Sequence, residues 1–433
     1  MTPLTVGLIG IGVLIVVLFS RMPIGFVMAF IGFAGFTYLS GFGASLTMLR
    51  TVPYTTFASY DLSVIPLFIL MGTLCFYAGL SRDLYETVHS WIGHLPGGLA
   101  MATVGACAAF AAVSGSSVAT AATMGTVALP EMKRYKYSDA LATGAIASGG
   151  TIGILIPPST GFIIYGIITE QGIGKLFLAG FIPGILEAVF YMITITILTR
   201  RNPLLGPRGP STSFMEKILS FKNTWVVILL FVIVMGGLYM GVFTPTEAAG
   251  VGAFGAFVFA LARRKLTWQA FRSSLADTGK TTAMIFIILM GAMILGYFLS
   301  ISRLPFELAT IIGEWGVNRY IILIAILLLF VCLGCVMDSL AILLLTVPIF
   351  FPLIIALGFD GIWFGVITVR ACEIGLITPP VGVNVYVIKG IAKDVPMGTI
   401  FRGIVPFLIA DFCHVALLIA VPQLSLFLPG RMM

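Results

Sequence analysis

The chain has 433 residues, of which 59% are hydrophobic and 9% are Asp, Glu, Lys or Arg. With a mean hydropathy of +1.11 it carries more apolar surface than a water-soluble domain can hide, so a soluble globular protein is excluded. The formal charge of +7 resides in short basic clusters between apolar segments, which suits the loops of a membrane protein and excludes a nucleic-acid surface.

Apolar segments at Leu4–Phe19 and Pro23–Leu39 predict two helices, followed by a polar connection through Arg50 and Asp61. The first has no basic leader and no small-residue cleavage site, so it reads as a retained helix. A third helix is expected over Ser63–Leu80. Next comes an amphipathic arm, Ser81–His94, with Leu84, Val88, Trp91 and Ile92 on a membrane interface and Arg82, Asp83 and Glu86 toward water. The apolar stretch Gly97–Pro130 is divided by Ser114-Gly115-Ser116-Ser117, a poor helix interior, and reads as a re-entrant hairpin. A long segment, Asp139–Thr169, is interrupted by Pro157-Pro158. A helix over Leu176–Leu198 and a basic linker through Arg200, Arg201, Arg208, Lys217 and Lys222 end the first half.

The second half follows the same plan. Helices are expected over Thr224–Val242 and Ala248–Ala262, then an arm to Lys280, a helix over Thr281–Ser300 and an amphipathic arm over Ser302–Asn318. A second hairpin spans Tyr320–Pro352, with its polar tip between Gly334 and Ser339. A helix over Gly361–Ile388 is broken at Pro379-Pro380, and Val405–Leu426 forms the last one. Pro157 and Pro379 lie 222 residues apart, and the same offset relates Gly153 to Gly375, Pro23 to Pro245, Ser117 to Ser339 and Pro130 to Pro352. The chain therefore reads as two repeats, 1–222 and 223–433. Five spans and one hairpin per half put the second repeat upside down, an inverted-topology repeat with about ten spanning helices. With Met1 outside, Arg21, Lys133, Arg134, Lys136, Arg200, Arg201, Arg208, Arg263, Arg264, Lys265, Lys389 and Lys393 all fall in the cytoplasm, which fixes the orientation.

Paired prolines in hydrocarbon-length sequence remove backbone donors and leave carbonyls free, and such backbone survives in a membrane only where protein or a polar cavity surrounds it. Matching breaks in two halves point to the binding centre of a carrier. Freed carbonyls with the hydroxyls of Ser114, Ser117, Thr151, Ser339 and Thr378 suit a hard monovalent cation such as Na+, while helix ends suit a carboxylate. A lone Ser or Thr in a helix more often bonds its own backbone; clustering at both breaks favours the functional reading. Asp338, at the second hairpin tip, has three open roles: lining a substrate cavity, supporting a cation or capping a helix. Arg370 is three residues from Glu373, so it either neutralises that carboxylate or meets a substrate anion. Glu187, Glu247 and Asp411 are expected nearer helix ends. Six cysteines lie mostly in apolar segments and read as packing residues, and the histidines form no ligand group. No nucleophile set, phosphate loop or metal motif occurs, so an enzyme is not expected.

Gly93-His-Leu-Pro-Gly-Gly-Leu-Ala100, Ser114-Gly-Ser-Ser117, Ile154-Leu-Ile-Pro-Pro-Ser159, Thr244-Pro-Thr-Glu-Ala-Ala249 and Glu373-Ile-Gly-Leu-Ile-Thr-Pro-Pro-Val-Gly-Val-Asn384 occur in this order. Together they resemble the large membrane subunit, DctM-type, of tripartite ATP-independent periplasmic (TRAP) transporters, over essentially the whole chain. The resemblance implies an elevator-type carrier in the bacterial inner membrane, driven by a sodium gradient. It also implies a small organic anion, usually a carboxylate, handed over by a periplasmic binding protein, and a separate small four-helix membrane subunit. Two sodium sites are implied by motif: Ser114, Ser117, Gly153, Ile156 and Pro158 for the first, and Gly334, Gly375, Thr378 and Val381 for the second. Asp338, Ser339, Arg370 and Asn384 are the substrate candidates. A stand-alone sodium/anion symporter without a binding protein is the alternative; a channel, which would not accumulate substrate, is disfavoured by the paired hairpins.

Overall fold

A computed structural model describes residues 1–18, 22–314 and 316–431. The architecture is all-α, as expected. In chain order the helices are α1 (Pro3–Leu18), α2 (Ile24–Ser40), α3 (Phe42–Phe57), α4 (Val64–Tyr77), α5 (Leu80–Ile92), α6 (Gly98–Ser114), α7 (Ser117–Arg134), α8 (Asp139–Leu155), α9 (Thr160–Thr169) and α10 (Ile173–Arg201). They continue as α11 (Phe214–Tyr239), α12 (Pro245–Ala262), α13 (Trp268–Ile301), α14 (Leu304–Glu314), α15 (Arg319–Gly334), α16 (Ser339–Ala356), α17 (Gly361–Ile377), α18 (Val383–Ile391), α19 (Met397–Ala420) and α20 (Gln423–Leu426). Among the described residues, 5 helices are long and apolar enough to cross a bilayer, or up to 8 if each bent pair is one span; α1, α2, α6 and α15 are shorter apolar helices.

Burial separates the helices into a centre and a surround. From Leu141 to Leu155 every residue of α8 is buried, and from Trp363 to Ile377 every residue of α17 is buried. Helices apolar on all faces and covered on all faces form the core. Around this pair pack α6, α7, α9, α10, α15, α16, α18 and α19. The surround is built from α2 against α13, α4 against α12 and α13, and α5 against α11. Large side chains on the outer face of α11, including Phe214, Trp225 and Val232, are exposed, which suits a lipid-facing surface.

Four expectations need correction. The polar connection through Arg50 is the helix α3. Its threonines satisfy themselves: the hydroxyls of Thr47, Thr51 and Thr55 donate to the carbonyls of Gly43, Thr47 and Thr51 at 3.2, 2.9 and 3.1 Å, so the polar sequence does not require water. The arm to Lys280 and the helix from Thr281 are one continuous helix, the 34-residue α13, whose start is set by the Thr267 hydroxyl accepting from Ala270 N–H. Lys217 and Lys222 lie on α11 rather than in a linker, because Ser213 and Glu216 form a capping box that starts the helix early. On the arm α5, Asp83 and Leu84 are buried; Asp83 pairs with Arg263 at the end of α12. Arg21, used above for orientation, lies outside the described residues.

The core is closed by glycine contacts between α8 and α19. A Cβ on Gly403 would run into the carbonyl of Ala140, and one on Gly144 into the carbonyl of Gly403. Gly403→Ala is therefore expected to destabilise the protein by about 1–3 kcal/mol, as overpacked cores do. Gly279→Ala on α13, where a Cβ meets open space, is the control and should leave stability equal or slightly raised. Thermal unfolding of the two purified variants in detergent checks this; equal midpoints would show that α8 and α19 can separate at no cost.

Candidate functional site

Each half presents a helical hairpin tip to a Pro-Pro break. In the first half, α6 and α7 turn at Gly115-Ser116, with Ser116 capping α7 through Ala119 N–H at 3.4 Å. The Ser114 and Thr120 hydroxyls are 2.7 Å apart. The tip is fastened to the far side of the break, since the hydroxyl of Thr160 donates to the Gly115 carbonyl at 2.8 Å. On the near side, a Cβ on Gly153 would come within 2.7 Å of the Ser116 carbonyl. Ser114, Ser117, Gly153 and Pro158 thus converge, and Ile156 ends α8 in extended backbone, packed against Gly184.

In the second half, α15 and α16 turn over Cys335 to Asp338, and the tip is fastened by Gly382 N–H donating to the Cys335 carbonyl at 3.1 Å. A Cβ on Gly375 would lie 2.5 Å from the Gly334 Cα, so hairpin and broken helix touch backbone to backbone only because both residues are glycine. Thr378 caps the end of α17, donating its N–H to the Gly375 carbonyl at 2.9 Å and its hydroxyl to the Ile374 carbonyl at 2.6 Å. Val381 is half-buried beside Gly382. The first break is buried, whereas Pro379 and Pro380 are exposed.

The breaks supply oxygen in a definite place. The residues four beyond Gly153, Ile154 and Leu376 are Pro157, Pro158 and Pro380, so these carbonyls lack their helical donor, whereas the Gly375 carbonyl is taken by the Thr378 N–H. Uncharged carbonyl and hydroxyl oxygens are a donor set that fits a hard monovalent cation, and no group of three His, Cys, Asp or Glu fit for a metal occurs among the described residues.

Glu373 joins the two tips, a role not legible in the sequence. Its Oε1 accepts from the Ser339 hydroxyl at 2.6 Å and from the Ser117 hydroxyl at 3.4 Å. Ser117 and Ser339 are the two serines related by the 222 offset, so equivalent points of both hairpins meet on one carboxylate oxygen. The other oxygen, Oε2, has no protein partner.

Arg370 stands elsewhere. It neither pairs with Glu373 nor lines the cavity between the hairpin tips and the surround. Its guanidinium, 0% exposed, meets Glu187 at 2.7 Å and Asp411, and donates to the Tyr191 hydroxyl at 3.0 Å and the Thr151 hydroxyl at 3.3 Å. Glu187 and Asp411 lie inside α10 and α19, not near helix ends; only Glu247 does, in the capping box that starts α12. One guanidinium therefore ties α17 to α8, α10 and α19 in the buried centre of the core.

A cavity of about 600 Å³ lies between the hairpin tips and the surround, lined by Ser114, Ser116 and Asp338 on one side and Thr73, Tyr77 and Asp277 on the other. Asp338 also caps α16, accepting from Leu340 N–H at 3.2 Å. Asn384 is fully buried on α18 with neither amide atom partnered by protein, next to Val383, which lines the cavity. Ser339 is buried behind the tip, on Glu373.

Residues 11–424 match the family model described as "Tripartite ATP-independent periplasmic transporter, DctM component". Among curated relatives, the C4-dicarboxylate TRAP transporter large permease protein DctM of Pseudomonas aeruginosa is 37% identical over 90% of this chain and 93% of its own. The sialic acid TRAP transporter large permease protein SiaM of Vibrio cholerae is 34% identical over 95% and 96%. The isethionate TRAP transporter permease protein DctMQ of Oleidesulfovibrio alaskensis is 33% identical over 88% of this chain but 60% of its own length. Among solved structures, the Alcanivorax borkumensis YdaH transporter aligns with a TM-score of 0.58 at 16% identity, covering 87% of this chain and 88% of that one, a likeness of fold.

Proposed function

Because this chain belongs to the family of DctM components, the large permease subunits of tripartite ATP-independent periplasmic transporters, we propose that it is the sodium-coupled membrane path for a small organic anion. The observation that carries this reading is the meeting of both hairpin tips on Glu373, beside two breaks that free backbone carbonyls. Such a centre offers oxygen to cations and a helix N-terminus to an anion in one place.

In this reading two Na+ ions are held, one by Ser114, Ser117, Gly153, Ile156 and Pro158, the other by Gly334, Gly375, Thr378 and Val381. Bound Na+ supplies positive charge that favours an anion in the cavity, with Asp338 at its wall. Of the substrates named for relatives, C4-dicarboxylate and sialic acid are carboxylates and isethionate is a sulfonate, so all are organic anions. The repeated order of hairpin, broken helix and closing helix supports an inverted repeat, and the core of α6–α10 and α15–α19 is the unit that moves against the surround, elevator-fashion. A periplasmic binding protein delivers the substrate, a small membrane subunit holds the surround, and the complex sits in the inner membrane.

The test is uptake of radiolabelled organic acids into proteoliposomes holding this chain and its small subunit. Accumulation is expected only with both an inward sodium gradient and the cognate binding protein. Accumulation without the binding protein would establish the stand-alone symporter instead. Within that assay, Thr378→Val should raise the half-saturating sodium concentration about tenfold, equivalent to ~1.4 kcal/mol. Unchanged sodium activation would remove Thr378 from the second site.

A further inference from the structure

The cavity between tips and surround has an unexpected balance of charge for an anion path. Two carboxylates line it, Asp277 and Asp338, and none of its lining residues is Lys, Arg or His. Arg370, the guanidinium in the core, is held by Glu187 and Asp411 with no exposure. Lys280, one turn beyond Asp277 on α13, is exposed and does not line the cavity.

Apart from the Na+ ions of the reading above, the protein's own seats for negative charge are backbone. Ser116 caps α7, Thr160 and Val383 are the first residues of α9 and α18, and Asp338 caps α16; all four line the cavity. But Ala119 N–H of α7 is taken by Ser116, Thr160 N–H of α9 by the Gly115 carbonyl and Leu340 N–H of α16 by Asp338 itself, which leaves the start of α18 as the open seat for an anion. The buried, unpartnered amide of Asn384 follows Val383 directly. One carboxylate can settle on the N–H groups that open α18. A second carboxylate on the same molecule would meet no cationic side chain and would approach Asp277 or Asp338, where like charges repel. Tyr77 does not relieve this, because its hydroxyl already donates to Asp277 at 2.7 Å. Asp277 retains acceptor capacity toward the cavity, as an ionised carboxylate has about four lone-pair sites.

We infer that the substrate of this permease is a monocarboxylate whose remaining atoms present hydrogen-bond donors, hydroxyl or N–H, to Asp277 and Asp338, and that dicarboxylates are poor substrates. The inference rests on the organic-anion reading above and narrows it. Asp277, on the surround, selects the donor-bearing end, while the start of α18 selects the carboxylate.

The test uses the purified complex of this chain with its small subunit, in saturating sodium chloride and without the binding protein, so that selectivity is that of the membrane part. Gluconate, a polyhydroxylated monocarboxylate, and succinate, a dicarboxylate, are titrated against thermal unfolding. Gluconate should protect at a concentration at least tenfold lower than succinate. Asp277→Asn should shrink that ratio severalfold by improving succinate, a change that a merely folding role of Asp277 would not produce. Protection by succinate at equal or lower concentration, no protection by gluconate, or an unchanged ratio in Asp277→Asn each overturns the inference. Sodium-driven uptake of succinate by the full three-component system would overturn it while leaving the sodium-coupled anion reading intact, whereas failure of every organic acid to accumulate would remove both.

Discussion

Arg370→Met yields little folded protein, with a loss of about 3–5 kcal/mol, because it strands two buried carboxylates rather than removing one contact. Glu187 and Asp411 are both 0% exposed, and Glu187 Oε2 and Asp411 Oδ2 already lack protein partners, so the guanidinium is what makes their burial tolerable. The loss should reverse when the stranded charges are removed as well. In Arg370→Met combined with Glu187→Gln and Asp411→Asn the cluster is neutral, and replacing a whole buried ionic group is often close to neutral for stability. Fluorescence-detected size exclusion and thermal unfolding of the single and triple variants decide the matter. A single variant as stable as wild type would show that the two carboxylates do not depend on the guanidinium.

Glu373→Ala abolishes uptake while leaving most of the protein folded. The variant takes away the oxygen on which Ser117 and Ser339 meet, leaving two buried hydroxyls to find other partners at a cost of about 1–3 kcal/mol each. The consequence is functional more than structural, because each tip keeps its second fastening, Thr160 to Gly115 in one half and Gly382 to Cys335 in the other. Glu373→Gln keeps a carbonyl oxygen able to accept both hydroxyls and should retain part of the activity. Uptake rates set beside expression levels check this. If Glu373→Ala transports normally, the two hairpins act independently and the shared oxygen is incidental. If Gln and Ala are equally inactive, the charge matters and not the bridge.

The breaks were legible because proline states its effect locally: a missing N–H four residues beyond a carbonyl is visible in any alphabet of residues. Hairpin tips were legible for the same reason, as Ser-Gly-Ser-Ser cannot continue an apolar helix. Helix α3 was not, since its threonines look like a loop until their hydroxyls are seen to return to carbonyls of the same helix. The partners of Arg370 were not legible either. Local spacing offers Glu373, three residues along, but the acids that hold the guanidinium come from α10 and α19, brought there by packing. The signal available was the isolation of Glu187 and Asp411 in long apolar runs, where an acid without a partner is untenable. The bridge through Glu373 joins residues 256 and 34 positions apart, and only folding makes them neighbours.

Helix α13 is also a ruler. Its 34 residues extend about 51 Å, well beyond a hydrocarbon layer of about 30 Å. Its first turns carry Arg272, Asp277 and Lys280, while the stretch from Thr281 to Ile301 has no charged residue and measures about 31 Å. The hydrocarbon boundary therefore crosses α13 between Lys280 and Thr281. Asp277 stands one turn outside it, at headgroup depth, so the side of the cavity it lines keeps its charge within reach of water while the hairpin side does not. A solute passing between the cavity and water there exchanges protein for hydration gradually, across a dielectric gradient, and the surround forms a vestibule rather than a wall.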